Sequence, residues 1–313
     1  MAERLFNRCV GPLAFAVDCA DHEVGDRLES LFAGFVEADV DPTVIAVVVR
    51  ERRGDTDGWH LRIDERGAGF FAEAHLLEEA LTRRVNRLVL DAEPDRLHLH
   101  AGAVARDGHA VLVVGPSGSG KSPLVAGLVA AGWQLLSDEQ LGVLTDGRLV
   151  AFPRPITLRR ASWPLFADVV VDPPDDLARI EVPIAHVGEW YRGEPIAPTI
   201  IVRPDVSVAE SSRRDLSAAE ALGVLVSDTL DLERAGDDGL DALLALVTSG
   251  PMIRVMGTDL RASIDQIDQA LAEAEPRRPA TEASAATIKP ETPARNLPGN
   301  TMIEVNSAYC VAV

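Results

Sequence analysis

The sequence predicts an α/β protein with a mixed sheet, a smaller α/β region at its N-terminal end and a flexible C-terminal tail. Three observations carry this. Short β-branched runs alternate with helical apolar spacing; a glycine-rich loop at 115–122 lies between such a run and a helix; and after Glu275 the composition turns to Pro, Ala, Thr and Glu. The 313 residues suit about two domains, expected over 1–95 and 96–274, with the tail at 275–313.

Lys and Arg total 30 against 49 Asp and Glu, a net charge of −19. Nucleic acid and anionic membrane both need a basic surface, so neither is an expected partner. Apolar residues make up 47% of the chain, ordinary for a globular protein. No run approaches the roughly 18 apolar residues that span a bilayer. The apolar patch Val10–Val17 lacks the architecture of a signal peptide. Cys9, Cys19 and Cys310 have no metal-ligand or disulfide spacing. A cytoplasmic protein with reduced thiols is expected.

The first region reads as a platform or recognition module without a catalytic motif. An apolar strand candidate from Val10 leads into a helical pattern with Leu28, Leu31, Phe32 and Phe35. Val44–Arg50 is a β-branched run, and Trp59–Ile63 alternates as a half-buried strand. Leu76, Leu77, Ala80, Leu81, Val85 and Leu88 then recur at helical spacing.

Two apolar runs, Leu97–Ala105 and Ala110–Val114, are joined through the turn dipeptide Asp107-Gly108. His98 and His100 share a parity in the first run, which places both on one face of a strand. A helix carrying Leu124, Val125, Leu128 and Val129 follows the loop, and a strand Trp133–Ser137 follows the helix. Asp146-Gly147 turns a further hairpin. Prolines through 153–198 predict a loop-rich segment. A strand at Thr199–Val202, helices near 215–227 and 238–248, and a strand at Met252–Val255 come next. Thr258 is placed to cap a last helix with Leu260, Ile264, Ile267 and Leu271 on its apolar face.

The chemistry centres on Gly115-Pro116-Ser117-Gly118-Ser119-Gly120-Lys121-Ser122, which satisfies the phosphate-loop pattern G-x-x-x-x-G-K-[ST]. Glycines let backbone N–H groups converge on a phosphate, and the helix N-terminus adds favourable partial charge. Lys121 is expected to neutralise the β- and γ-phosphates of ATP, and Ser122 to offer its hydroxyl to Mg²⁺. Pro123 falls in the first helical turn, where its missing N–H is tolerated. Asp138-Glu139 follows Lys121 by about one helix and one strand, each roughly 15 Å long. A right-handed crossover therefore returns Asp138 to the edge that holds the loop. There it can hold Mg²⁺ beside Ser122 or accept the proton of an attacking hydroxyl. A solvated acidic pair is the plainer alternative. Arg154, Arg159 and Arg160 could supply a cation to the transition state, or simply be surface charge.

The run LHLHAGAVARDGHAVLVVGPSGSGKSPLVAGLVAAGWQLLSDEQLGVL, with GRLVAFPRPITLRR after it, resembles the HPr-kinase-related P-loop proteins. These are relatives of bacterial HPr kinase/phosphorylase that accompany peptide-maturation clusters. The likeness is specific over about 100–160 and weak over about 5–272. It implies a P-loop kinase core of HPr-kinase-like type with ATP and Mg²⁺ as cofactors. His100 matches the family's histidine ahead of the hairpin, Gly115–Ser122 its phosphate loop and Asp138 its catalytic base. Glu139 stands where the parent has a second Asp. Pro123 departs from the family, and no Arg-Gly-rich signature follows the acid pair, which argues against phosphorylase activity and against HPr as the acceptor.

The expected function is therefore an ATP- and Mg²⁺-dependent kinase acting on a Ser or Thr hydroxyl of a peptide or protein, compatible with a homo-oligomer. The residues expected to carry it are Asp138, His100, Lys121, Glu139 and Arg159. A nucleotide-gated peptide-binding or scaffold protein is the alternative. Transporter ATPases share the loop pattern, but their signature loop is missing. At the far end, Met302–Val305 and Tyr309–Val313 are apolar enough to dock on the protein's own surface, or to present Thr301 or Ser307 as a substrate mimic. Cys310-Val311-Ala312-Val313 has only the outline of a prenylation signal, without a polybasic run before it.

Overall fold

The apolar runs of the first 71 residues pair into one six-stranded mixed sheet. The structure is a computed structural model that describes residues 4–64, 66–170, 173 and 177–274. The expectations for 275–313, including the tail and its ends, lie outside the described residues. In chain order the first elements are β1 (Arg4–Val10), β2 (Leu13–Cys19), α1 (His22–Leu31), β3 (Val36–Glu37), β4 (Val44–Arg53), β5 (Thr56–Ile63), β6 (Arg66–Phe71) and α2 (Ala74–Ala92). The sheet order is β3-β1-β2-β4-β5-β6, with β2 and β4 parallel and the other pairs antiparallel.

Asp21 starts α1 by accepting from Val24 N with Oδ1, and its Oδ2 accepts from Trp59 Nε1 at 3.0 Å. The helix ends at Leu31, short of the expected reach to Phe35. Phe32 and Phe35 are still buried, because they turn into an aromatic cluster with Phe6 and Phe15. Phe152, from much later in the chain, stacks on Phe35 with ring centroids 5.5 Å apart and so ties the two halves together. The α2 face of Leu77, Leu81, Val85 and Val89 is buried against this sheet. Cys9 and Cys19 are buried, and no disulfide joins the two.

The rest of the chain forms β7 (Leu97–Leu99), β8 (Gly102–Arg106), β9 (His109–Val113), α3 (Lys121–Ala130), β10 (Gln134–Ser137), β11 (Leu141–Val143), β12 (Leu149–Val150), β13 (Ile156–Arg159), β14 (Arg179–Val182), β15 (Glu189–Trp190), β16 (Ile200–Asp205), β17 (Ser212–Asp215), α4 (Ala218–Ser227), α5 (Leu232–Ser249), β18 (Met252–Met256) and α6 (Leu260–Glu273). A seven-stranded mixed sheet runs β15-β10-β8-β9-β16-β18-β17. In it β9, β16 and β18 are parallel neighbours. The β8–β9 hairpin turns through Asp107 and Gly108, both with positive φ (52° and 80°), as a two-residue hairpin loop requires. Because β8 inserts between them, β10 lies parallel to β9 one strand away, and the β9–α3–β10 crossover passes over β8. Leu124, Val125, Leu128 and Val129 of α3 are buried beneath it.

Several expectations are corrected. The run Leu97–Ala105 is not one strand. It breaks at His100, whose N–H donates to Asp228 O at 2.6 Å, so β7 joins β11 and β12 in a three-stranded sheet while β8 joins the large one. His98 and His100 consequently do not share a face. His98 is buried 3.7 Å from Glu93, and His100 faces the phosphate loop. The 153–198 segment holds more regular structure than its prolines suggest: β13 and β14 pair antiparallel, and short 3-10 turns follow at Arg160–Phe166 and Ile184–His186. Helix α5 starts earlier than expected, at Leu232, and bends at Gly236. The cap of α6 is Asp259, whose Oδ1 accepts from Ala262 N at 3.0 Å; Thr258 lines the cleft instead.

Gly102 opens β8 where α3 crosses closest. A Cβ there would stand 2.5 Å from Val125 Cγ2 and 3.6 Å from Asp138 Oδ1. Gly102→Ala is expected to cost about 1–3 kcal/mol, because fully buried Val125 has nowhere to move. Urea denaturation reads this directly, and wild-type stability in the variant would refute the close approach.

Candidate functional site

The loop leaving β9 reaches α3 through Gly118 and Gly120, at φ +87° and +102°, a region that favours glycine. Gly120 is also the residue ahead of the first helical turn, and a Cβ on it would stand 2.7 Å from Val206 Cγ1. Leu124 N donates to Gly120 O at 3.0 Å as the first bond of α3. The amides of Lys121 and Ser122 precede that bond, so the helix leaves them as donors for an anion. Lys121 Nζ donates to Gly115 O, and Gly115 N donates to Asp228 Oδ2. Burial lowers the Lys121 pKa, with Asp228 and Asp138 opposing that shift. Burial also raises the carboxyl of Asp228. Ser119 Oγ is buried in the loop without a hydrogen-bond partner.

The crossover does bring Asp138 to the loop. Its Oδ1 accepts from Ser122 Oγ at 3.0 Å, and its Oδ2 accepts from Thr157 N at 3.1 Å. Only 1% of the residue is exposed. Burial, reinforced by the neighbouring Glu139, pushes its pKa up to about 7. Glu139 has φ +68°, and Gln140 N donates to Asp138 O across it, so it sits at the apex of a strained γ-turn. Two contacts hold it there. His100 Nδ1–H donates to its carbonyl at 3.1 Å, and Arg154 Nη1 donates to its carboxylate at 2.6 Å. Burial would raise the Glu139 pKa, but the Arg154 guanidinium outweighs it and the net shift is downward. Burial and then Lys121 lower the His100 pKa, with Glu139 and Asp228 opposing that shift.

Of the three candidate arginines, only Arg159 reaches the loop, donating to Ser117 Oγ at 2.8 Å. Arg154 is 2% exposed and held among Glu139, Glu181 and Thr157, so it braces the site from behind. Arg160 stacks over Trp163 and lies outside the cleft lining. The cleft itself has a volume of about 340 Å³ and is lined by His100, the loop, Glu139, Thr157, Arg159 and Arg179 among others. Arg179 also pairs with Glu79 of α2 and lines a second cavity of about 370 Å³ between α2 and β14.

Sequence reasoning missed Asp228, Thr157, Glu181 and Arg179. Asp228 lies 113 residues from Gly115 and belongs to no motif, so no local signal marks it. Thr157 contributes through its backbone, which a side-chain pattern cannot show. Among the described residues, no group of three or more His, Cys, Asp or Glu gathers as a metal site. Ser122 Oγ and Asp138 Oδ1 nonetheless form a pair of hard oxygens that suits Mg²⁺, an ion that keeps waters and shares substrate phosphates. No protein-family model matches the chain, and no curated protein matches it.

The shift at Asp138 has a definite sign. Its unfolded value is 3.8 and its folded value about 7, so between these the folded state holds a proton that the unfolded state has released. Stability from this group is present at low pH and lost as pH rises through that window. Asp138→Asn keeps the shape without the charge. In magnesium-free buffer it should raise Tm more at about pH 8 than at about pH 5. An equal change at both values would show that Asp138 titrates normally.

Proposed function

We propose that this protein is an ATP- and Mg²⁺-dependent kinase that transfers the γ-phosphoryl group to a Ser or Thr hydroxyl of a peptide or protein. The observation that carries the reading is the 3.0 Å contact of Ser122 Oγ with Asp138 Oδ1, which joins a phosphate loop to a buried carboxylate. The core is accordingly read as a P-loop kinase core of the HPr-kinase-like type. The amides of the loop and of the first α3 turn would hold the β- and γ-phosphates, with Lys121 leaving Gly115 O to meet them. Mg²⁺, when bound at Ser122 and Asp138, would neutralise charge shared by those phosphates.

The two acids divide the work. Both oxygens of Asp138 are occupied and buried, which suits holding the metal. The Glu139 side chain is 35% exposed and lines the cleft, so it is placed to receive the acceptor proton. The acceptor oxygen bonds to the γ-phosphorus, the bond to the β–γ bridging oxygen breaks, and ADP leaves with that electron pair. Arg159 and Arg179 face the cleft and can stabilise charge on the transferring group. The second cavity shares Arg179 with the cleft and is walled by α2 and β14, so it offers an extended acceptor somewhere to lie. This favours a peptide over a small metabolite.

Incubation with γ-labelled ATP and candidate Ser/Thr peptides tests the reading: label on peptide supports it, and tight ATP binding without transfer would favour the nucleotide-gated module instead. Lys121→Ala should lose the thermal shift induced by MgATP, because the loop loses its own cation. Glu139→Gln should keep that shift and the KM for ATP while kcat drops about a hundredfold. Unchanged turnover in Glu139→Gln would return the base role to Asp138.

A further inference from the structure

The phosphate loop occupies only part of its cleft, and one corner of the remainder carries the large apolar side chains Leu165 and Val206. Three parallel neighbours, β9, β16 and β18, end at the same sheet edge, where ligands of open α/β sheets collect. Val206 directly follows β16, and Thr258 lies two residues beyond β18. Leu165 comes from the 3-10 turn after β13. All three line the cleft together with Pro123 of the first turn of α3.

Two features set this corner apart. Leu165 is 51% exposed and Val206 43%, whereas Trp163 and Phe166 of the same turn as Leu165 are buried in the core. Large apolar side chains from two separate elements are thus left uncovered in one cleft, with Val206 packed against the phosphate-loop residue Gly120. The third position of α3 is Pro123, which has no N–H. An anion can therefore use the amides of Lys121 and Ser122 but finds ring surface, not a donor, beyond them.

We propose that this corner is the seat of the nucleobase, held by its faces between Leu165 and Val206 over Pro123 and not read by its hydrogen-bonding edge. The inference rests on the phosphate-loop reading above and extends it to the ligand's other end. Among the described side chains lining the seat, Thr258 and Ser162 carry hydroxyls, and Ser162 Oγ already donates to Arg159 O at 2.8 Å. No amide or charged side chain there pairs a donor with an acceptor, as distinguishing adenine from guanine requires. The ligand class is a purine nucleoside triphosphate of either kind.

Calorimetric titration with MgATP, MgGTP and magnesium tripolyphosphate separates the two ends. For the wild type, ATP and GTP should bind within about fivefold of each other and both tighter than tripolyphosphate. Leu165→Ala and Val206→Ala should each weaken both nucleotides about fivefold, since each removes part of a covered apolar face. Tripolyphosphate affinity should stay unchanged in both variants and in the double variant. The seat is overturned if the double variant binds ATP like the wild type, or if tripolyphosphate weakens by the same factor as ATP. An ATP preference over GTP greater than about fivefold would overturn recognition by faces alone. A wild-type protein that binds tripolyphosphate as tightly as ATP removes the seat but keeps the loop, whereas binding of none of the three removes both.

Discussion

Three carboxylates, Asp138, Glu139 and Glu181, are drawn in around one buried guanidinium, that of Arg154, and the architecture of the site depends on satisfying them. One cation cannot fully compensate three acids in a low-dielectric interior. The remaining demand is met by dipoles and by a proton. Thr157 gives a backbone N–H to Asp138 and a hydroxyl to Glu181, and Ser122 gives its hydroxyl to Asp138. The β13–β14 pairing sets Thr157 opposite Glu181 and so brings both to Arg154. The Asp138 carboxyl, raised by burial beside Ser122, is a group whose charge an added cation would favour.

Much of this was legible in the chain, and the boundary of legibility has a physical cause. The β9–loop–α3–β10 unit is local: a hairpin dipeptide, a run of glycines and an apolar helix each act within a few residues, so the return of Asp138 to Ser122 followed from spacing. The long, strongly periodic α2 was readable for the same reason. What failed was set from a distance. The strand through His100 breaks because Asp228, far along the chain, takes its N–H. The β13–β14 pairing joins two four-residue strands whose registers no period can reveal. Thr258 met the rule for a cap as well as Asp259 does, and only the side-chain bond decided between neighbours.

The same long-range contacts give the site its rigidity. His100 is bound through its backbone to Asp228 and through its ring to the Glu139 carbonyl, so it links the loop after α4 to the acid pair. Asp228 in turn holds the first amide of the phosphate loop. Glu139 keeps a backbone conformation that costs a non-glycine residue about 1–3 kcal/mol, and it does so because His100 and Arg154 both hold it. Strain secured from two sides at a cleft-facing carboxylate fits a group whose position matters more than its contribution to stability.

The overall charge sharpens this reading. A chain with a net charge of −19 repels polyphosphate over most of its surface. Lys121, Arg159 and Arg179 nevertheless gather at one cleft, at the N-terminus of α3 and the edge of the parallel strands. Each is held by a group of the fold: Lys121 by Gly115 O, Arg159 by Ser117 and Arg179 by Glu79 of α2. Arg159 and Arg179 are thus presented at fixed positions before any anion arrives, which lowers the reorganisation that anion binding requires, whereas Lys121 must exchange Gly115 O for the anion. Because Glu79 belongs to the helix packed on the N-terminal sheet, that sheet contributes to the electrostatics of the cleft as well as to its walls. A cation of the cleft is thereby set by a helix outside the loop-bearing half of the chain, an arrangement that suits the proposed kinase with an extended acceptor.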